Sequence, residues 1–515
     1  MKKSFLCNFR KAVVLSFFLL TACFLNAQKK LQFGVNSNFD NPVFLKMVYS
    51  NEDYKSFFKD FNIDYIRFPG GSPVRFFIYN SSDLSQQAKN QLFKTYMERG
   101  KKTLADKSPN TDFANFTFPA DYYDKFLKFC VANNVKPMIQ LNTFFYVSGG
   151  QIKRVATLRS EQKGQMGKAG NDISSIDNVA LRQYILSQLK QTHTVLSNVL
   201  WEIGNEEDFF YTPETEAKIV SIYLDVIKTN YPQDKVIVSF SNSMKTEKGE
   251  KNQQTRITYN QTFVSELQKY NLLNKIDYFA PHFYYDVDSL DRSDENIQRR
   301  IRDIDFAGSD NHFSSFFPKT YTPHFFYTEY SIYQGNPAVN PNFNSNLHAL
   351  FMFYFLMNFY ASPHLSGVVY HSFLGRGPFM FMQSDAQDFN NNIVNKSSSY
   401  ADIAVIPIQS QIEKVFYQNV GDVPVSLVTQ GDLKILTTQS NGKYSYFIIN
   451  LSPRNVTISK DKIFTAAPTT TWSYINYDFQ DLMSKTNVLN SKASQAKYSD
   501  VSSLVINKYS ILVIK

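Results

Sequence analysis

Between residues 31 and about 420 the sequence alternates short apolar runs with stretches of helical periodicity, and this alternation repeats eight times. The apolar runs are "LQFGVN" (31–36), "IDYIRFPGG" (63–71), "KPMIQLNTFF" (136–145), "NVLWEIGNE" (198–206), "KVIVSFSNS" (235–243), "IDYFAPHFYY" (276–285), "HFFYTEYS" (324–331) and "LSGVVYHSF" (365–373). Between them lie helical candidates such as "YYDKFLKFCVANN", "ALRQYILSQLKQTHTVL", "ETEAKIVSIYLDVIKTN" and "LHALFMFYFLMNFY". Eight strand-then-helix units predict an α/β fold, a (β/α)8 TIM barrel whose chemistry sits at the C-terminal ends of its strands. A doubly wound open sheet is the competing topology, but no glycine-rich phosphate loop follows the first strand. After residue 420 short β-rich runs separated by Gly, Asn, Ser and Pro replace the alternation, which predicts a C-terminal antiparallel β-sandwich domain. The expected organisation is a leader over 1–27, a barrel over 28–420 and the sandwich over 421–515.

The leader reading comes from four basic residues (Lys2, Lys3, Arg10, Lys11), an apolar run from Ala12 and a small-residue site at Ala27. Such a segment is a secretion signal, which implies a periplasmic or extracellular protein. "LTAC" (20–23) also has the form of a lipoprotein box. Two maturations therefore stay open: cleavage after Ala27, or lipidation at Cys23 with attachment to a membrane surface. No later stretch approaches transmembrane length. Of the three cysteines only Cys130 lies beyond the leader, in an apolar helical stretch, so it is expected to be a buried, inert thiol. No zinc-ligand spacing appears, and neither metal nor cofactor is expected. The formal net charge of +9 falls when the leader's four basic residues are removed. The remaining charge designates no partner by itself; a nucleic-acid partner is not expected, and the oligomeric state is open.

A composition of 43% hydrophobic and 19% charged residues excludes a disordered chain. The 16% of aromatic residues suits sugar-stacking clefts and aromatic cores equally well.

The fourth run ends in Asn205-Glu206-Glu207-Asp208, an amide and three carboxylates directly after an apolar strand. Such crowding is either a solvated loop or a working site. Alternation places Glu202, Gly204 and Glu206 on one side of that strand, with Glu206 at the barrel mouth. "YTEYS" puts Glu329 at the mouth of the seventh strand, across the barrel. Two facing carboxyls are what glycoside hydrolysis requires, one protonating the departing oxygen and one attacking the anomeric carbon. Glu207 and Asp208 read as solvated or loop-capping acids.

With these residues the chain resembles the retaining glycoside hydrolases of clan A, a (β/α)8 clan with an Asn-Glu pair ending strand four and a Glu ending strand seven. The resemblance implies acid/base Glu206, preceded by Asn205 to bind the sugar's 2-hydroxyl, and nucleophile Glu329. "RFPGG" (67–71) is similar to the strand-two motif of arabinofuranosidases, β-xylosidases and heparanase-like glucuronidases, and "HFYY" to the strand-six pattern, placing His282 and Tyr284 near the nucleophile. Those families also carry a β-sandwich after the barrel. One departure stands out. Many clan members end strand eight with a tryptophan under the sugar, whereas this chain has only Trp201 and Trp472, leaving Tyr370, His371 or Phe373 for that place.

Arg67 is expected to pair with Glu202 inside the barrel while keeping Glu329 ionised, together with Tyr284. Glu206 is expected to have a raised pKa, helped by the charge on Glu329. Asn142, after strand three, is a further candidate for binding sugar. Two long loops on the predicted active face are basic: residues 72–118 hold seven basic and four acidic residues, and residues 151–170 five and one. Concentrated there, positive charge would favour an anionic glycan. The expected partner is a carbohydrate substrate; the alternative to an enzyme is a non-catalytic glycan-binding protein on a hydrolase-like barrel at the cell surface.

Overall fold

The computed structural model describes residues 31–37, 42–50, 52–79, 85, 88, 119–156, 177–243, 250–286, 311–333, 345–375, 381–383, 406–464, 471–479, 489, 491–497 and 500–515. The leader and most of the two basic loops, at 80–118 and 157–176, lie outside the described residues.

Eight parallel strands close on themselves: β1 (Gln32–Asn36), β2 (Tyr65–Phe68), β3 (Lys136–Leu141), β4 (Leu200–Ile203), β5 (Lys235–Phe240), β6 (Tyr278–Pro281), β7 (Phe325–Tyr333) and β8 (Leu365–Tyr370). Closure is made by β1 pairing with β8, and β8 with β7. The open-sheet alternative is therefore excluded. Each strand candidate is present; most are shorter than their apolar runs, whose last residues form the mouth, whereas β7 runs on past its own to Tyr333. The sixth run divides at His282, and its continuation Phe283–Asp286 pairs with the upper half of β7.

The four helical candidates appear as Tyr122–Ala132, Asn178–His193, Pro213–Asn230 and Asn346–Ala361. Three of the four starts are chemically marked. Asp177 accepts from the Ala180 amide at 3.0 Å, Thr212 caps a helix with Pro213 in its first turn, and Ser345 accepts from His348 N. The helix Asn346–Ala361 is apolar on all sides, because it is covered on all sides. The barrel lies against one face, and the helix Ile408–Asn419 and the C-terminal sheet lie against the other, with Phe353 ring centroids 5.6 Å from Phe416 and 6.0 Å from Phe447. Most described aromatic rings are core rings of this kind, and Cys130 is buried among them, with burial pushing its thiol pKa up.

The C-terminal region has a six-stranded antiparallel sheet, in spatial order Val423–Gln430, Leu433–Ser440, Lys443–Asn450, Ser510–Ile514, Thr471–Asp478 and Ser491–Lys497. A second antiparallel pair, Val456–Ser459 with Ser503–Ile506, covers one face. Alternation sorts the side chains. Leu433, Ile435, Tyr446, Ile448, Leu512 and Ile514 meet Ile458 and Ile506 in a small core, whereas Leu436, Phe447, Ile449, Ile511 and Val513 join the barrel's main core.

Inside the barrel, Tyr65, Met138, Leu200, Ile237, Ala280, Phe326 and Val369 plug the lower layer. Gly367 provides the room for this plug: a Cβ there would lie 2.4 Å from the Phe326 ring. Gly367→Ala should therefore overpack the barrel and cost about 1–3 kcal/mol. Denaturant midpoints check this, and Phe326→Leu in the same chain should recover part of the loss.

Candidate active site

One pleat above the apolar plug the barrel interior becomes polar. Arg67 is wholly buried there. Its Nε donates to Glu202 Oε2 at 2.6 Å and its Nη2 to Glu202 Oε1 at 2.8 Å, a two-point pairing of planar groups. Nη2 also donates to Asn205 Oδ1 at 2.6 Å, and Nη1 to Glu329 Oε1 at 2.7 Å. Both expectations for Arg67 are present together: it pairs with Glu202 and reaches Glu329.

Glu329 owes its direction to a break in β7. The register with β8 shifts between Tyr327 and Tyr330, which turns the intervening carboxylate to the mouth. Tyr284 donates its hydroxyl to Glu329 Oε2, while His282 Nδ1 lies 3.4 Å and His371 Nδ1 3.7 Å from that oxygen. Burial pushes the Glu329 carboxyl up. The charges of His282, His371 and Arg67 and the Tyr284 bond outweigh it and hold the group well below the usual carboxylate range.

Glu206 sits in a tight turn. It adopts left-handed backbone at φ +51°, ψ +49°, a conformation costing a non-glycine residue roughly 1–2 kcal/mol. Gly204, at φ +75°, permits the turn, because a Cβ there would meet the Glu207 carboxylate at 2.2 Å. That carboxylate accepts from Asn205 N at 2.7 Å and Thr143 Oγ1 at 2.8 Å, and Asp208 accepts from Ser241 Oγ at 2.5 Å. Glu207 and Asp208 are thus buried turn-capping acids and not solvated ones. Glu206 keeps about a third of its side chain exposed and lies 3.1 Å from His282 Nδ1.

The protonation of Glu206 departs from the sequence expectation. Burial raises its pKa and Glu329 adds to that, but the His282 hydrogen bond and charge, with Arg75 further off, bring it below the ordinary value. Burial likewise opposes protonation of His282, yet the two carboxylates beside it raise its pKa. His282 thus lies between the two glutamates, and the charges on each side favour its protonated form. The carboxylate and imidazole atoms of Glu206, His282 and Glu329 lie within 4.8 Å of one another. A divalent cation would meet Glu329 with both oxygens already accepting, from Arg67 and Tyr284.

The remaining candidates divide. Asn205 faces the site, and its buried Nδ2 has no partner among the described residues. His371 faces it too: Asn36 Nδ2 donates to His371 Nδ1 at 2.7 Å, and burial holds that imidazole below its ordinary pKa. Tyr370 and Phe373 are wholly buried and point into the wall, Phe373 against Phe44, Phe57 and Phe58. Trp201 also faces outward, its indole donating to Asp234 at 2.7 Å. Asn142 is a loop organiser: its amide nitrogen donates to the carbonyls of Arg75 and Phe77, and its oxygen accepts from the amides of Phe144 and Phe145. All four of its hydrogen-bonding positions are taken, so none faces a sugar.

Two residues escaped the sequence reading. Asn36 ends β1 at an inward position, and that placement was the available signal. Arg75 was counted only as loop charge, yet it is buried beside Glu206, with Nη2 at 3.9 Å from Glu206 Oε2.

No family model and no curated protein matches the sequence. Solved structures do match. A family 51 α-L-arabinofuranosidase from Bifidobacterium longum aligns with TM-score 0.59 and 9% identity over 95% of each chain. An α-L-arabinofuranosidase from Thermotoga maritima aligns at 0.53 and 12%, over 91% of this chain and 88% of that one. A GH39 β-xylosidase from Caulobacter crescentus aligns at 0.51 and 10%, over 95% of each. At these identities the likeness is one of fold, and it is the fold of the clan whose motifs the sequence resembles.

Burial raises the Glu207 carboxyl from 4.5 to about 7. A raised acid contributes stability that is fully present below its unfolded pKa and lost as pH rises through its folded one. Glu207→Gln retains the carbonyl that accepts from Asn205 and Thr143 and has no proton to lose. Wild type should lose up to roughly 3 kcal/mol relative to this variant between about pH 5 and 8, measured by urea unfolding across that range.

Proposed function

We propose that this protein is an exported retaining glycoside hydrolase. The observation that carries the reading is the pair of carboxylates at the barrel mouth, Glu206 after β4 and Glu329 on β7, with oxygens within 4.8 Å of each other. That spacing suits a retaining site, with carboxyls about 5–5.5 Å apart, and not an inverting one at about 6.5–9.5 Å. Their environments also differ in the required sense: Glu329 is enclosed by cationic and hydroxyl donors, whereas Glu206 is the more exposed and pairs with the His282 imidazole.

In the reaction a Glu329 oxygen attacks the anomeric carbon as the bond to the leaving oxygen breaks. Glu206 delivers a proton to that oxygen, having received it from His282 beside it. The ester so formed is then opened by water. Glu206 takes the water's proton, the new C–O bond forms, and Glu329 leaves as carboxylate. Asn205 Nδ2 donates to the sugar's 2-hydroxyl, a bond that strengthens as charge develops at the anomeric carbon. Export through the leader places the enzyme outside the inner membrane, free after cleavage at Ala27 or tethered through Cys23.

Glu329→Ala should reduce turnover of every substrate by roughly 10⁴-fold or more. Glu206→Ala should spare 2,4-dinitrophenyl glycosides, whose leaving group needs no proton, and azide should accelerate it and give a glycosyl azide. Proton NMR of the wild-type product should show the substrate's anomeric configuration. Full activity in both variants would move the site elsewhere, and an inverted product would rule out double displacement.

The substrate we propose is an anionic polysaccharide, a uronate or sulfated glycan, on the strength of the excess of basic residues in loops 72–118 and 151–170. Both loops follow barrel strands in sequence, and in (β/α)8 enzymes the segments after the strands build the catalytic face. Attraction of this kind is screened by salt, so kcat/KM on such a polymer should fall several-fold between about 20 and 200 mM NaCl. Salt-independent kinetics, or a preference for neutral arabinan or xylan oligosaccharides, would overturn it.

A further inference from the structure

The turn that carries Glu206 is held from outside its own strand. Arg75, in the 3-10 turn Ser72–Phe76 after β2, sends Nη2 to the carbonyl oxygen of Asn205 at 2.5 Å. That carbonyl belongs to the peptide entering Glu206, so the bond fixes the peptide plane on which the left-handed conformation of Glu206 depends. Nη1 of the same guanidinium donates to Ser72 Oγ at 3.1 Å. The group lies over the Phe210 ring at 4.3 Å and the Phe144 ring at 5.6 Å, so aromatic faces on two neighbouring loops set its plane. The carbonyl of Arg75 accepts from Asn142, which ties the arginine's loop to the loop after β3. A buried cation thus stands behind the Asn205–Glu206 peptide, and its distance to Glu206 Oε2 is 3.9 Å, longer than a direct hydrogen bond.

We propose that Arg75 is a positioning residue for the acid/base: by clamping the Asn205 carbonyl it holds the strained turn that aims the Glu206 carboxyl at the leaving-group oxygen. This rests on the reading of Glu206 as acid/base. Arg75 touches neither sugar nor reacting atoms and acts through the peptide. Its charge has a second consequence, lowering the Glu206 pKa alongside the larger effects of burial and His282. The other titratable groups around Glu206 include His282 and Tyr284 from the sixth run, Glu329 from β7, His371 after β8, Asp208 of its own loop and Arg256 of the helix Glu250–Lys269. All of them remain when Arg75 is replaced.

The test uses the full chain and whichever 4-nitrophenyl glycoside among α-L-arabinofuranoside, β-D-xyloside and β-D-glucuronide the wild type turns over. Two further glycosides of that sugar are compared, 2,4-dinitrophenyl and benzyl. In Arg75→Met, kcat/KM on the benzyl glycoside should fall by about 10²-fold, the scale of general-acid catalysis, and on the dinitrophenyl glycoside by less than about fivefold. The basic limb of the kcat/KM profile should move to higher pH, since a charge that lowered the Glu206 pKa is gone. Arg75→Lys keeps the charge without the flat fork and should fall between. Phe210→Leu leaves the arginine and removes the ring beneath it, so it should give the same leaving-group pattern to a smaller degree even if Arg75→Met folds poorly. Equal losses on both leaving groups, or an unmoved basic limb, would overturn the role of Arg75 while leaving the glycosidase reading intact. A wild type inactive on all three sugars would overturn both.

Discussion

The polar interior of this barrel depends on one buried cation. Arg67 stands on β2 with no exposure to solvent, and its donors meet carboxylates on β4 and β7 and the amide at the end of β4. A guanidinium is suited to the place because it stays charged and offers a rigid fork, which a lysine does not. Removing one partner from such a buried set typically costs about 3–5 kcal/mol, since the remaining charge is left without compensation. Glu202 has a supporting role: it occupies two donors of Arg67, leaving a single bond to Glu329. The proposed nucleophile is thereby oriented and kept ionised while its second oxygen remains at the mouth beside Tyr284 and the two imidazoles.

Charge balance explains how an apolar barrel tolerates this cluster. Around the mouth, Arg67, Arg75 and His282 face Glu202, Glu206 and Glu329. The His282 imidazole lies between two carboxylates at 3.1 and 3.4 Å, and their charges raise its pKa. In return His282 lowers the pKa of both carboxyls against their burial, with Arg67 and the Tyr284 hydrogen bond adding to the effect at Glu329.

Much of this was legible in the sequence because both barrel and site follow short-range rules. Alternation of apolar runs with helical stretches shows all eight strands, and period-two alternation puts Arg67, Glu202 and Glu206 on inward positions, whereas Glu329 turns inward only through the register break in β7. What stayed hidden needed three dimensions. Asn142 sits after a barrel strand like a sugar ligand, but only the fold reveals that two loops already use its whole amide. The lowering of the Glu206 pKa depends on an imidazole 76 residues away in sequence, which no local pattern carries. Arg75 was hidden for a related reason: in sequence it is one of several basic loop residues, and its burial between Phe144 and Phe210 depends on how three loops meet.

The absent tryptophan acquires a physical meaning at the same place. In the position after β8 the chain presents His371, anchored by Asn36 at the end of β1, while the neighbouring Tyr370 and Phe373 are turned into the wall. With Nδ1 accepting from Asn36, the ring's N–H donor is Nε2. An indole under a sugar offers a broad apolar face and one donor at its rim. This imidazole instead offers a small ring whose donor is set by a second residue on an adjacent strand. In the proposed enzyme, recognition at that subsite therefore rests more on a directed hydrogen bond and less on stacking.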